Sequence, residues 1–245
     1  MNIAKEILGR IFALWGMIVF VTTMLIALIP IWAMGLVKEP IRTFYVFKFF
    51  RAWMNSFFFL TGVKRTITGK ENFKKGENYI VVCNHSSFMD IPLSSPGIPG
   101  VNKTIAKIEM AKIPLFGIAY KRGSVLVDRK SEESRRQSFL KMKEVLDLGM
   151  HMCIYPEGTR NKTKEPLQKF HDGAFRLATS TGKKIIPAII RHTPKVLPLH
   201  KKFYFWPHPV EMHFLPAVEV AGKTVRELKE EVFELMKAEI VRRGK

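Results

Sequence analysis

Residues 84 to 90 read Asn-His-Ser-Ser-Phe-Met-Asp and follow directly on the apolar run Tyr79 to Cys83. A histidine and an aspartate five positions apart suit acid–base chemistry only if the chain bends between them. On one ideal helix that step is a rotation of about 500°, which leaves the side chains roughly 140° apart. His85 must then precede a helix that begins near Ser86 or Ser87, with Asp90 in or near its first turn, so that the carboxylate curls back towards the imidazole. There it fixes the tautomer and supports the imidazolium that forms when the other ring nitrogen takes a proton. Neighbouring Ser86 and Ser87 rarely reach in line, so the hydroxyl to be deprotonated is expected on a substrate. A structural reading stays open beside this one: Ser87 to Asp90 matches a capping box, with His85 an ordinary turn residue.

A second cluster is Ile-Tyr-Pro-Glu-Gly-Thr-Arg-Asn-Lys, residues 154 to 162. An apolar strand ends at Pro156, Gly158 permits close backbone approach, and Arg160 can grip a phosphate with two parallel hydrogen bonds. Glu157 would repel an anion there unless it bonds a substrate hydroxyl or holds a nearby cation in place. The alternative is an ordinary loop with a Glu–Arg ion pair. A third stretch, Lys121 to Arg129, gives a turn at Gly123, a strand and then Asp128-Arg129, and Lys107 follows another strand as a further cation for phosphate.

The elements that must position these residues are short apolar runs alternating with helix-length segments beyond Gly69, a pattern of α/β layering. Strands are expected at Lys64 to Thr68, Tyr79 to Cys83, Lys103 to Ala106, Ser124 to Val127, Met152 to Tyr155, Ile185 to Ile190 and Val210 to Phe214. The sheet is expected to be mixed and largely parallel, flanked by helices. One helix lies between Ser131, its cap, and Gly149. Another follows the capping box Thr224/Glu227, with Val225, Leu228, Val232, Leu235 and Glu239 along one face. The dyad then sits at the carboxyl end of a strand, where open α/β sheets bind ligands.

Residues 1–63 read as a membrane-anchoring helical segment and 64–245 as the α/β domain. From Ile11 to Val37 no residue is charged. A straight helix over that run reaches roughly 40 Å against a hydrocarbon core of about 30 Å. Pro30 interrupts it, and the aromatic segment Thr43 to Val63 carries Lys48 and Arg51, which suits an interfacial helix with snorkelling cations. A helical hairpin in one leaflet and a transmembrane span are both left open. The formal charge is +19, from 40 Lys plus Arg against 21 Asp plus Glu. Such a body attracts anionic partners: phosphorylated small molecules, acidic lipid surfaces or nucleic acid. Lys183-Lys184 and His200-Lys201-Lys202 are candidates for a basic face. Cys83 and Cys153 read as small core residues, with no zinc-site spacing and no metal expected.

These pieces, in this order, resemble the glycerolipid acyltransferase family, most nearly the 1-acyl-glycerol-3-phosphate acyltransferases. The family's NHxxxxD stands here as Asn84 to Asp90, its Gly-led strand ending in Asp-Arg as Gly123 to Arg129, its FPEGTRS as Tyr155 to Asn161, and its Val-Pro strand as Ile186-Pro187. The match covers about residues 64 to 215. Tyr155 replaces the usual Phe and Asn161 the usual Ser, and His171 stands where a Lys often follows Phe, which removes one cation.

The resemblance implies that His85 is the general base for the 2-hydroxyl of a lysophosphatidate and that Asp90 orients and charge-balances it. The hydroxyl then attacks the thioester of an acyl-CoA or an acyl-carrier protein, with no acyl-enzyme and no cofactor. It implies that Arg160, Arg129, Lys107 and Thr159 hold the glycerol phosphate, and that Asn84, Glu157, Gly158, Gly123 and Pro187 shape the pocket. It places the protein on membrane lipids, at the cytoplasmic face of the inner membrane. An acyltransferase of the same fold with another acceptor remains an alternative: glycerol 3-phosphate, another lysophospholipid or an aminolipid. A membrane-tethered nucleic-acid-binding protein is the alternative from a different class, although no nucleic-acid motif is present and none is expected as partner.

Overall fold

The structure, a computed structural model, describes residues 3–244. Seven strands form one sheet: β1 (Arg65–Thr68), β2 (Ile80–Cys83), β3 (Asn102–Lys107), β4 (Ser124–Val127), β5 (His151–Ile154), β6 (Ile185–Arg191) and β7 (Val210–Phe214). Their spatial order is β1-β7-β6-β2-β5-β3-β4. The five strands from β6 to β4 are mutually parallel; β7 runs antiparallel to β6, and β1 follows β7. All seven expected strands are present within two residues at each end.

β2 lies centrally and is buried throughout, as expected of a parallel strand covered on both faces. Alternation divides its residues: Val81 and Cys83 face one apolar cluster, Ile80 and Val82 the other. The first cluster lies under α1 (Ile3–Ala33), α2 (Ile41–Leu60), α3 (Asp90–Gly97) and α4 (Phe116–Gly123). The second lies under α5 (Glu132–Asp147), α6 (Gly173–Thr181) and α8 (Val225–Arg243), while the short α7 (Thr193–Val196) follows β6.

Both expected helix caps form. Ser131 accepts from the Ser134 N–H, and Thr224 and Glu227 make a reciprocal capping box. The inward stripe of α8 is Leu228, Val232, Met236, Glu239 and Ile240. Leu235, expected on that face, is 44% exposed. At 3.6 residues per turn the stripe drifts, and by the fourth turn Met236 occupies the inward position.

α1 corrects a second expectation: it continues through Pro30 to Ala33, with a short 3₁₀ turn (Met34–Leu36) after it. It packs antiparallel to α2. The Trp15 indole donates to the Leu60 carbonyl at 3.0 Å, and the Phe20 ring meets Trp53 and Phe57 at 5.1 and 5.6 Å. Val19, Met24 and Leu28 of α1 join strand residues in one continuous core. The opposite side of α1 leaves Ile7, Ile11, Ile18, Ile26, Ile29 and Trp32 exposed. The helix is long and apolar enough to cross a membrane. Of the two cations expected to snorkel, Lys48 lies over Phe44 at 4.4 Å, but Arg51 turns into the body, donating to the Ile98 carbonyl at 3.0 Å.

Candidate active site

The carboxyl ends of the parallel strands gather the candidate residues on one edge. β2 delivers Asn84-His85, β3 ends on Lys107, β4 is followed by Asp128-Arg129, and β5 leads into Tyr155 to Arg160. β6 contributes a residue not anticipated from sequence, Thr193.

His85 stands on the bend between β2 and α3, and α3 begins at Asp90 itself, three or four residues later than expected. His85 Nδ1 lies 2.7 Å from Asp90 Oδ2. The same oxygen accepts the Ser86 and Ser87 N–H groups at 2.6 and 2.8 Å, and Oδ1 accepts the Thr193 hydroxyl at 2.5 Å. Asp90 thus holds both the imidazole and the backbone ahead of α3, but the capping box does not form: α3 is capped by Met89 without a side-chain hydrogen bond, and the Ser87 hydroxyl accepts the Met89 N–H at 3.2 Å. An ionised carboxylate accepts and never donates, so the ring proton resides on Nδ1 and the Nε2 lone pair is left for a substrate. Asp90 is sealed from solvent, whereas the His85 side chain keeps 14% exposure. Tyr155 backs the ring at 4.4 Å between centroids, and its hydroxyl meets Ser94 at 2.7 Å. The polar group added by Tyr at that position thus has a buried partner.

Glu157 pairs with no cation among the described residues. Its Oε1 accepts the His85 N–H at 2.7 Å and its Oε2 the Gln168 N–H at 2.9 Å, so it joins the two loops and faces away from the opening. Burial pushes its carboxyl above the usual carboxylate range, and the two N–H donors oppose that push. Asn84 is similarly engaged: its amide exchanges hydrogen bonds of 2.9 and 2.7 Å with the Ile190 backbone, fastening the end of β2 to β6. Pro187, inside β6, pairs with Val82. Both residues set the sheet edge on which His85 stands.

Arg160 lies flat on Phe88, its guanidinium carbon 3.5 Å from the ring centroid, and makes no ion pair among the described residues. This replaces the Glu–Arg loop pairing considered from sequence. Arg129 donates to the Gly158 carbonyl, and Thr159 and Lys107 are exposed at the same edge. Lys183 and Lys184 are not part of it. They precede β6 at the opposite end of the sheet, bonded to Asn78 at 2.7 Å and Glu219 at 2.8 Å. Lys201 ties α1 to the body through Glu6.

Beside the dyad opens a cavity of about 650 Å³ enclosed by α1, α2, α3 and α4. Phe88, Met89 and Ile91 form the wall nearest the dyad, and Phe20, Phe50 and Trp53 lie among its aromatic residues. Gly123 borders it too; a Cβ there would stand 2.7 Å from the Phe50 ring, so glycine lets that ring lie close. Among the described residues no cluster of His, Cys, Asp and Glu is arranged to hold a metal. The two thiols, Cys83 and Cys153, meet at 3.8 Å in the core as a thiol–thiol hydrogen bond and form no disulfide.

Thr193 was legible only in part. Pro194 in the first turn of α7 is a helix-start signal, but its meeting with Asp90 across 103 residues has no local signature.

The structure thus brings together an imidazole held by a buried carboxylate, exposed cations at the carboxyl ends of the parallel strands and an apolar cavity. Comparison with known proteins gives this arrangement a family. A family model described as Acyltransferase matches residues 64–191, more than half of the chain, and the chain belongs to that family. It is similar to the 1-acyl-sn-glycerol-3-phosphate acyltransferase of Borreliella burgdorferi, 32% identical over 58% of this chain and 57% of that protein. It is likewise similar to the protein so named in Helicobacter pylori, 35% identical over 57% of this chain and 58% of that one. The matches thus span less than two thirds of these relatives' lengths. The fold is that of the crystal structure of the 1-acyl-sn-glycerophosphate acyltransferase PlsC from Thermotoga maritima, with a TM-score of 0.82 at 24% identity over 96% of both chains.

Proposed function

We propose that the chain transfers an acyl group to the 2-hydroxyl of a 1-acyl-glycerol 3-phosphate, giving phosphatidic acid. The observation that carries this reading is the His85–Asp90 contact at 2.7 Å, set between the unpaired Arg160 and the apolar cavity. The names of the relatives support the choice of acceptor.

In this reading His85 Nε2 takes the proton as the hydroxyl attacks the thioester carbon. Asp90 balances the imidazolium, and the proton passes on to the departing thiolate. General base catalysis of this kind contributes about 100- to 10,000-fold. Arg160, Arg129, Lys107 and Thr159 hold the phosphate, and the cavity takes an acyl chain. Glu157 and Asn84 act on the pocket indirectly, by fixing the two backbone segments that carry His85.

Residues 1–63 serve as the anchor and 64–245 as the catalytic domain. We favour the one-leaflet hairpin, because α1 packs against α2 and the body along one side, and only its other side offers apolar residues to lipid. The cytoplasmic face of the inner membrane is the leaflet where an acyl-CoA or an acyl-carrier protein is available.

The test is to present the full chain, in detergent or vesicles, with labelled lysophosphatidate, glycerol 3-phosphate and lysophosphatidylcholine, each with acyl-CoA or acyl-carrier donors. Phosphatidic acid from lysophosphatidate alone is the expected product. Equal acylation of lysophosphatidylcholine, or no acylation of any acceptor, would overturn the assignment.

A further inference from the structure

A second cavity, which acyl transfer does not use, opens at the amino ends of β2, β3 and β5. It measures about 770 Å³ and lies between the first turns of α2 and the segments that lead into those three strands. His151 borders it, one position before the pair Ile80–Met152 and so level with Tyr79. Six residues of extended chain separate that level from His85, a distance of about 20 Å. The volume is that of an ordinary ligand site, about 300 to 1,000 Å³.

The lining combines two chemistries. Ile41, Phe44 and Tyr45 of α2 with Phe73 and Leu148 form an apolar wall, and Lys74 and Lys75 complete it. Both lysines are exposed, and neither forms an ion pair among the described residues. A third cation, Lys48, stands 4.4 Å over the Phe44 ring and 5.2 Å over that of Tyr45. Glu77 is the one acidic residue of the lining, and it is engaged: it accepts the Tyr79 hydroxyl at 2.8 Å and lies 3.8 Å from Lys184. Glu39, next to Pro40, is held by Arg42 and by the Thr43 hydroxyl at 2.8 Å each. Glu71 and Asp147 flank the lining in sequence without entering it. The charge along the cavity is therefore positive.

The apolar wall also continues the outer side of the anchor. Ile29 and Trp32 lie in the last turns of α1 and Leu36 follows in the bend, and all three are more exposed than Ile41. With the hairpin lying in one leaflet, the mouth of the cavity meets lipid. Lysines beside an apolar wall suit an anionic amphiphile, whose phosphate accepts from the ammonium groups while its chain covers the rings. A free phosphate would leave that wall in water. A zwitterionic lipid would bring its own cation to the lysines.

We propose that this cavity binds one anionic phospholipid of the bilayer, apart from the acyl-transfer site, and so pins the amino ends of the strands to the membrane. The proposal rests on the anchoring reading of residues 1–63 and not on acyl transfer.

The test has two arms and two double variants. K74E/K75E reverses the cavity lysines; K141E/K237E makes the same change of charge on α5 and α8, across the sheet from the hairpin. In the first arm the full chain in non-ionic detergent is titrated with dihexanoyl-phosphatidylglycerol, dihexanoyl-phosphatidylcholine and inorganic phosphate. Phosphatidylglycerol binds about tenfold more weakly to K74E/K75E than to wild type and to K141E/K237E, and the other two ligands show no such difference. Equal affinity of phosphatidylglycerol for all three proteins, or an equal loss in both variants, would overturn the site. Inorganic phosphate lost in parallel with phosphatidylglycerol would overturn its assignment to a lipid. In the second arm, vesicles of four parts phosphatidylcholine to one part phosphatidylglycerol carry a photoreactive group on the acyl chain of one lipid or the other. Adducts of the phosphatidylglycerol probe fall on residues 40–45, 73–77 or 148–151 and decline in K74E/K75E; adducts confined to the rest of α1, or equal from both probes, would contradict the proposal. If the chain binds no vesicle, the anchoring reading fails and the detergent arm alone decides the site.

Discussion

His85 and His151 sit at opposite ends of neighbouring strands, and their first ring nitrogens meet opposite partners. At the carboxyl end of β2, His85 Nδ1 faces the carboxylate of Asp90, so Nδ1 carries the proton and Nε2 presents a lone pair to the opening. At the start of β5, His151 Nδ1 accepts the Tyr79 N–H at 3.0 Å, and the remaining ring N–H is bonded to the Pro99 backbone. That ring also stacks on Tyr79 at 5.8 Å. Both its nitrogens are occupied, and burial lowers its pKa from 6.5 to about 4. On the proposed function one imidazole serves as the base, while the other is a neutral strut. What separates them is the partner of Nδ1 and the access of Nε2, since both are only slightly exposed.

The largest way to break this contrast is Asp90→Asn. The amide keeps an acceptor for the ring but not the charge that balances the imidazolium, so kcat should fall about 1000-fold or more while the chain remains folded. A loss within tenfold would mean that the carboxylate is not what distinguishes the two histidines.

His151 supplies the converse. Its folded pKa lies near 4 against 6.5 in the unfolded chain, so between those values the unfolded state binds more protons. The neutral ring contributes about 3 kcal/mol at most, fully present above pH 6.5 and lost as the pH falls towards 4. Denaturant titrations from pH 7 to 4 should show that loss in wild type and a shallower one in His151→Asn, whose acyl transfer at pH 7.5 persists. Parallel stability profiles, or an inactive variant that is fully folded, would show that the two roles are misassigned.

The sequence carried the fold well because its signals are local. Seven apolar runs bounded by turn residues became seven strands, and Ser131 and Thr224 cap the helices their spacing implied. The dyad was readable for the same reason, as five residues of chain fix its geometry. What escaped is what contacts across the sheet decide. Thr193 reaches Asp90 from 103 positions away, Glu157 turns inward because the His85 and Gln168 N–H groups await it, and Arg160 finds Phe88 in place of a carboxylate. Glu157 and Asn84 drew attention as polar residues at a sheet edge, and burial shows their side chains fastening backbone there.

A smaller effect sharpens the His85 half of the contrast. Thr193→Val removes the only hydrogen bond to Asp90 Oδ1 among the described residues and leaves the three on Oδ2. Steady-state kinetics should show kcat down about tenfold with KM for lysophosphatidate little changed, and Thr193→Ser should restore most of the rate. A serine variant as slow as valine would point to a packing role.

The central claim is that His85 removes the proton during acyl transfer, and single-turnover acyl transfer by His85→Ala, with lysophosphatidate binding measured on the same preparation, tests it most directly. The expected result is a rate lower by about 100- to 10,000-fold with binding retained. Transfer at the wild-type rate by a His85→Ala enzyme that still binds the lipid would contradict it.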